Sequence, residues 1–353
     1  MPPRRETVFK IVAAGGSALI GLLIVELGLR LVLGAPPVWK IPQERYDFDA
    51  VIQHRLKPGQ TAWTHAEPVR TNSLGYRGPE WSATPAAGIC RVLALGDSQT
   101  FGVGVAEEDT WPARLAATLS ASDPDRDWEV LNAGVPGTNT WQHRVLMEEL
   151  QASASPQLVV LGFFVNDVAR PYVPDPAMGE RERSAAKAGL VATLKRSAFL
   201  GAVRNVWSTL GQAIRPSRAF EADNHVVDGT PDPLIDAAWE SVEASLTAMQ
   251  EATRSDGAPF VVVAMPRRDQ ISGKNGGRAY NDRLAEIADR LGIPFADALD
   301  DLRDLHEREG GRNVNIAWDG HHTPEANQTI AEKVVPLILD QAAETCPSLR
   351  SER

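Results

Sequence analysis

From Arg91 onward the chain alternates short apolar runs with longer stretches of helical period, and this alternation restricts its fold more than any other feature. The apolar runs fall at 91–96, 128–132, 158–164 and 259–265, with a weaker one at 293–296. Helical periodicity covers 110–121, 140–152, 234–254, 279–291 and 324–343. Runs of that length are buried strands rather than helices, and strands that alternate with helices build a parallel sheet with helices on both faces. The helix starts agree with this reading. Asp109 or Thr110 precedes Trp111-Pro112, and Thr323 precedes Pro324, so a capping oxygen stands before a proline in the first turn.

The amino terminus reads differently. Ile11 to Val25 carries no charge, and the apolar character continues to Leu33. That is enough chain to cross a bilayer core. Arg4, Arg5 and Lys10 precede it and favour a cytoplasmic amino terminus, while Glu26 and Arg30 stand one helical turn apart near its far end. The expectation is an uncleaved signal anchor: a single-pass helix in the cytoplasmic (inner) membrane, with residues 36 onward outside the cytoplasm. A cleaved signal peptide is the alternative, although Gly34-Ala35 offers no clean Ala-x-Ala site; a buried core helix is a third reading, against which the basic leader speaks.

The expected organisation follows from these two signals. Residues 1–34 form leader and anchor, 35–88 an irregular juxtamembrane segment rich in Pro, Gly and Trp, 89–345 the α/β domain, and 346–353 a tail. Residues 170–232 break the alternation, beginning with Pro171, Pro174 and Pro176 and continuing into a basic helical stretch around Lys187, Lys195, Arg196 and Arg204. This insertion reads as a lid, as an amphipathic contact with the anionic membrane surface, or as a decorating subdomain. Cys90 and Cys346 have no metal-ligand spacing; they pair if the domain is extracytoplasmic, or stand as free thiols. A net charge of −10 disfavours a nucleic-acid partner, whose phosphates need a basic face.

Four loops carry the candidate chemistry. Leu95-Gly96-Asp97-Ser98 ends the first strand in a turn and leaves a hydroxyl where open α/β sheets bind ligands. Asn132-Ala133-Gly134-Val135-Pro136-Gly137 ends the second strand in a glycine-rich loop able to present backbone N–H groups. Asn166-Asp167 ends the third, with a side-chain amide at the same edge. Asp319-Gly320-His321-His322 lies just before the last helix, where a carboxylate can fix a histidine tautomer. No Gly-x-Ser-x-Gly elbow surrounds Ser98, and the histidine pair has no third ligand at metal-binding spacing.

Gly-Asp-Ser, then Asn-Ala-x-x-x-Gly, then Asn-Asp, then Asp-x-His in that order resembles the SGNH/GDSL hydrolase family over roughly residues 89–343, in the manner of its bacterial membrane-anchored members. The resemblance implies a three-layer, flavodoxin-like parallel sheet and a serine esterase mechanism without cofactor or metal. It implies Ser98 as nucleophile, Asp319 as orienting acid, and Ser98, Gly137 and Asn166 as oxyanion-hole donors, with Gly137 preferred to Gly134 because Asn132-Ala133 set the register. The usual capping residue two positions after the family histidine selects His321, followed by Thr323; an Asp-x-x-His spacing would select His322. The implied substrate is an ester, an O-acylated glycan or other envelope component among them, and an O-acyltransferase using the same triad is the alternative. A catalytically silent binding module is disfavoured because serine, asparagine and histidine are all present.

Overall fold

In the computed structural model, which describes residues 3–168, 194–214, 218–312 and 314–346, the apolar runs become five parallel strands. The chain opens with α1 (Pro3–Leu33), followed by two short hairpins, β1 (Tyr46–Asp49) with β2 (Gln53–Leu56) and β3 (Thr61–Thr64) with β4 (Glu67–Arg70). The α/β domain then runs β5 (Ile89–Gly96), α2 (Ser98–Phe101), α3 (Trp111–Ser122), β6 (Asp127–Gly134), α4 (Thr140–Ala154) and β7 (Leu158–Phe163). It continues α5 (Ala198–Ile214), α6 (Arg218–Asp228), α7 (Pro233–Ser255), β8 (Phe260–Ala264), α8 (Arg268–Ile271), α9 (Ala279–Leu291), β9 (Phe295–Asp297), α10 (Leu299–Arg308) and α11 (Pro324–Thr345).

The sheet order is β6-β5-β7-β8-β9, with every neighbouring pair parallel. This is the flavodoxin-like order, and its switch point lies between β5 and β7. Period-two alternation along each strand sends side chains to two separate cores. Leu93, Leu95, Val159, Leu161 and Val262 face α4, α7 and α9, where Leu146, Leu246 and Leu284 meet them. Val92, Ala94, Leu158, Val160 and Val261 face α3, α10 and α11, where Leu115, Leu302 and Ile330 close the opposite layer. Every residue of β7 is buried, as expected of a strand covered on both faces.

Cys90 at the start of β5 and Cys346 just past α11 form a disulfide, with Cα atoms 5.3 Å apart and 256 residues between them in sequence. The free-thiol alternative is therefore set aside. A second expectation is corrected: residues 35–88 are not irregular throughout, because the two hairpins occupy 46–70. Their strands are four residues long and largely polar, Tyr46-Asp47-Phe48-Asp49 for example, too short for a period to be visible. Arg77, buried beyond them, donates to the carbonyls of Phe101 (2.9 Å), Gly102 (2.7 Å) and Val105 (2.8 Å), tying this segment to the turn that ends α2.

α1 includes the 28-residue stretch Glu6–Leu33, whose most apolar 18-residue window has mean hydropathy 2.2 and no buried residue. Its length and composition fit a membrane span or a signal sequence. Of the insertion expected at 170–232, the described part forms α5 and α6; Pro171, Pro174, Pro176 and Lys187 lie outside the described residues.

Candidate active site

The site is built where the three central strands end. Gly96 pairs in register with Gly134 on one side and Gly162 on the other, so a row of three glycines crosses the sheet edge. A Cβ on Gly134 would stand 2.2 Å from the Phe101 nitrogen, and one on Gly96 only 2.0 Å from Thr100 Oγ1. The missing side chains let α2 settle directly onto the strand ends. Asp97 caps that helix by accepting from the Gln99 N–H at 2.8 Å, and Ser98, half-buried, becomes its first residue. The Ser98 hydroxyl makes a long contact of 3.5 Å to Asp97 Oδ2. Burial raises the Asp97 carboxyl above its ordinary range, opposed by the Gln99 N–H, by the charge of nearby His321 and by hydrogen bonds from Asn166 and Ser98.

Gly134 and Gly137 therefore do different things. Gly134 gives room to the Phe101 backbone, whereas Gly137, at φ +82°, has only the His54 ring at 3.7 Å beside the place of a Cβ. His54 Nε2 donates to the Pro136 carbonyl at 2.8 Å and holds this turn from outside. Among the described residues, neither the Ser98 nor the Gly137 N–H donates to a backbone carbonyl. Asn166 sits in a single 3-10 turn, Val165–Asp167, directly after β7, and its Oδ1 is buried with no partner among the described residues.

Beneath these groups lies a buried chain of polar side chains. The Thr138 hydroxyl donates to the Val135 carbonyl at 2.6 Å, so it must accept from His143 Nε2–H at 2.9 Å. This assigns the tautomer and turns the bare His143 Nδ1 toward Asp167 Oδ1, 3.7 Å away. Burial lowers the His143 imidazole to about 3. Burial, with the nearby Asp97 carboxyl, pushes Asp167 well above the usual carboxylate range. The imidazole of His143 is thus neutral near pH 7, burial favours the protonated form of Asp167, and the two side chains lie between the Gly137 turn and the Asn166 turn.

The histidine loop approaches from α11, whose N-cap Thr323 accepts from the Ala326 N–H as its sequence predicts. Asp319 Oδ1 accepts from the His321 backbone N–H at 3.0 Å and from His321 Nδ1. The ring's Nε2 is left for another partner. Burial works to raise the Asp319 carboxyl, but hydrogen bonds from His321 and His65 outweigh it and hold the group well below the usual range. His322 is placed otherwise: its ring is buried and its Nε2 donates to the Pro266 carbonyl at 3.2 Å. Burial lowers it to about 4, and its backbone N–H donates to Gln99 Oε1 at 3.1 Å.

Sequence reasoning missed His65. It comes from the turn between β3 and β4, is 3 % exposed, and brings Nε2 within 3.1 Å of Asp319 Oδ2. The Asp319 carboxylate thus lies between two imidazoles more than 250 positions apart in the chain. No local signal marks a lone histidine in a polar hairpin. His143 escaped for a different reason: on an amphipathic helix it reads as an ordinary inward-facing residue.

The strand order and the Gly96-Asp97-Ser98 turn at the sheet edge point to a class, the ester-bond hydrolases with the SGNH fold. A sequence model of the GDSL-like Lipase/Acylhydrolase family matches residues 94–328, and the chain belongs to that family. Among solved structures, TesA is 16% identical with a TM-score of 0.42, the match covering 71% of this chain and 99% of that one. The acetyl xylan esterase AlAXEase is 18% identical with a TM-score of 0.42, covering 70% and 99%. The lipase/acylhydrolase from Enterococcus faecalis is 14% identical with a TM-score of 0.40, covering 71% and 96%. No curated protein matches the chain.

Proposed function

We propose that this hydrolase is a membrane-anchored, extracytoplasmic serine esterase that removes O-acyl groups from a glycan, another envelope component or a small ester. His321 takes the proton of Ser98 as Oγ attacks the ester carbonyl. Asp319 holds His321 with its Nδ1 protonated and stabilises the imidazolium that forms. The N–H groups of Ser98 and Gly137 and the amide of Asn166 receive the tetrahedral oxyanion, each worth about 3 kcal/mol in the transition state. His321 then protonates the leaving alcohol and activates water against the acyl-serine.

The observation that carries this reading is the Asp319–His321 pair, which leaves Nε2 as the ring's reactive nitrogen, while the neighbouring His322 spends its Nε2 on a backbone carbonyl. Location rests on other support. The basic leader, the unburied apolar α1 and the Cys90–Cys346 disulfide agree with a domain outside the cytoplasm, because structural disulfides persist in oxidising compartments.

A fluorophosphonate probe tests the nucleophile. The folded chain is expected to take up one label, lost in Ser98→Ala; a folded wild-type chain that stays unlabelled removes the assignment. Acyl release measured with and without an acceptor glycan separates hydrolysis from transfer.

A further inference from the structure

The outward end of α1 is packed along α5 and wired to its start. Glu26 accepts from the N–H groups of Ala198 and Phe199, both at 2.8 Å, and from the Ser197 hydroxyl at 2.9 Å. A carboxylate at a helix N-terminus satisfies orphan donors and meets the positive end of the helix dipole. Arg30 closes the cluster, with Nε 2.7 Å from Glu26 and a further bond to the Arg196 carbonyl. Two charged residues at the end of an apolar helix thereby become the dock of a second helix.

α5 presents an apolar stripe to the outside. Leu200, Val203, Val206 and Trp207 are 41%, 49%, 59% and 78% exposed, and their spacing puts them on one helical face. The neighbouring turns of α1 are equally bare, with Leu27 59% and Leu31 69% exposed. A large exposed tryptophan beside aliphatic residues, flanked in sequence by Lys195, Arg196 and Arg204, is the composition of a helix that lies in the headgroup region of an anionic bilayer.

We infer that α5 is an interfacial helix, seated on the outer surface of the lipid bilayer with the Leu200–Trp207 stripe in the acyl boundary. The inference rests on the reading of α1 as a membrane span, since the lipid that covers α1 is what continues over α5. It also places the active-site loop. Trp318, adjacent to Asp319, donates its indole N–H to the carbonyl of Gly34 at 3.0 Å, just past the end of α1. Its ring packs on Gly201 of α5, where a Cβ would stand 3.2 Å from Cε3. The loop that carries Asp319 and His321 therefore touches both membrane elements, and it sits at headgroup level.

Depth-dependent quenching tests this on the full-length chain. Trp207→Cys, Leu23→Cys in α1 and Ser255→Cys, at the sheet edge opposite the site, are each labelled with a nitrobenzoxadiazole dye; the native cysteines are paired. Each is reconstituted into phosphatidylethanolamine–phosphatidylglycerol vesicles containing lipids with a nitroxide on the acyl chain. The expected result is loss of fluorescence at 207 and 23 but not at 255, and Val206→Cys serves if Trp207→Cys does not fold. Quenching at 23 with 207 as bright as 255 overturns the interfacial helix while leaving the anchor in place. A blue-shifted but unquenched dye at 207 means a protein partner covers the stripe, and it overturns the inference too. No quenching at either 207 or 23 removes the anchor and the interfacial helix together.

Discussion

At the scale of single residues, the site turns on how three histidines spend their ring nitrogens. His321 uses Nδ1 on Asp319, and His322 uses Nε2 on Pro266. His321→Ala is expected to lower kcat by on the order of 10⁴-fold. His322→Gln, whose amide can replace the lost donor, should keep most of it, so an active His321→Ala enzyme would reverse the assignment. The same His322 variant carries a stability signature. An unfolded imidazole gains its proton near pH 6.5, roughly, whereas burial delays that of folded His322 to about 4. The unfolded state therefore binds more protons in this window, and the wild type loses stability as pH falls through it. Urea titrations at several pH values should show a smaller loss in His322→Gln.

If Asp319 and His321 act as proposed, His65 acts through Asp319 as a positioning residue. Its Nε2 lies beside the carboxylate oxygen that His321 leaves unused. Replacing it by Ala should release that carboxylate and reduce kcat on the order of tenfold with KM unchanged, a cost typical of a misoriented catalytic group. His65→Gln, which keeps a donor near the same place, should restore most of the loss. An equal deficit in both variants would mean that His65 only fills space.

Among elements, α2 and the two glycine-bearing loops set the geometry. Gly134→Ala drives a methyl group into the Phe101 backbone, which is itself held from the other side by Arg77. We expect a loss of about 3 kcal/mol or more, within the range of overpacking combined with backbone displacement. Gly137→Ala meets no such wall and pays mainly for its left-handed backbone, about 1–2 kcal/mol. Denaturant unfolding of the two variants should rank them in that order; the reverse order would contradict the division of labour between the glycines. The short helix that begins with Ser98 is also why residues 35–88 matter. β3, β4 and Arg77 bring both His65 and a set of buried donors to the active-site side.

Over the whole molecule, the disulfide joins the first core strand to the end of the last helix and encloses nearly the entire α/β domain. Closing so long a loop restricts the unfolded chain, and its removal is expected to cost about 2–5 kcal/mol. Comparing urea midpoints of the wild type and a Cys90→Ser/Cys346→Ser variant checks this, and an unchanged midpoint would show that the bond adds nothing to packing already in place. The buried His143 and Asp167 side chains work on the same scale, because they meet at 3.7 Å between the Gly137 turn after β6 and the Asn166 turn after β7.

How much of this was legible beforehand depends on the range of the forces involved. Strands β5 to β8, the helices beginning at Trp111 and Pro324, and the apolar α1 were visible because period, capping and length are properties of neighbouring residues. Ser98, Asn166 and the Asp319–His321 loop were visible because each follows a recognisable strand end or precedes a capped helix. The hairpins at 46–70 were not, since four-residue strands carry no period and are held by contacts made elsewhere. By itself the sequence determined the order of elements, the membrane-like helix and the set of groups at one sheet edge. Only the tertiary structure decided that Gly134 yields space, that His322 is sequestered, that His65 flanks Asp319 and that α5 docks on Glu26. Each of those decisions depends on an approach of a few ångströms between residues distant in sequence, and chain-local pattern contains no measure of that distance.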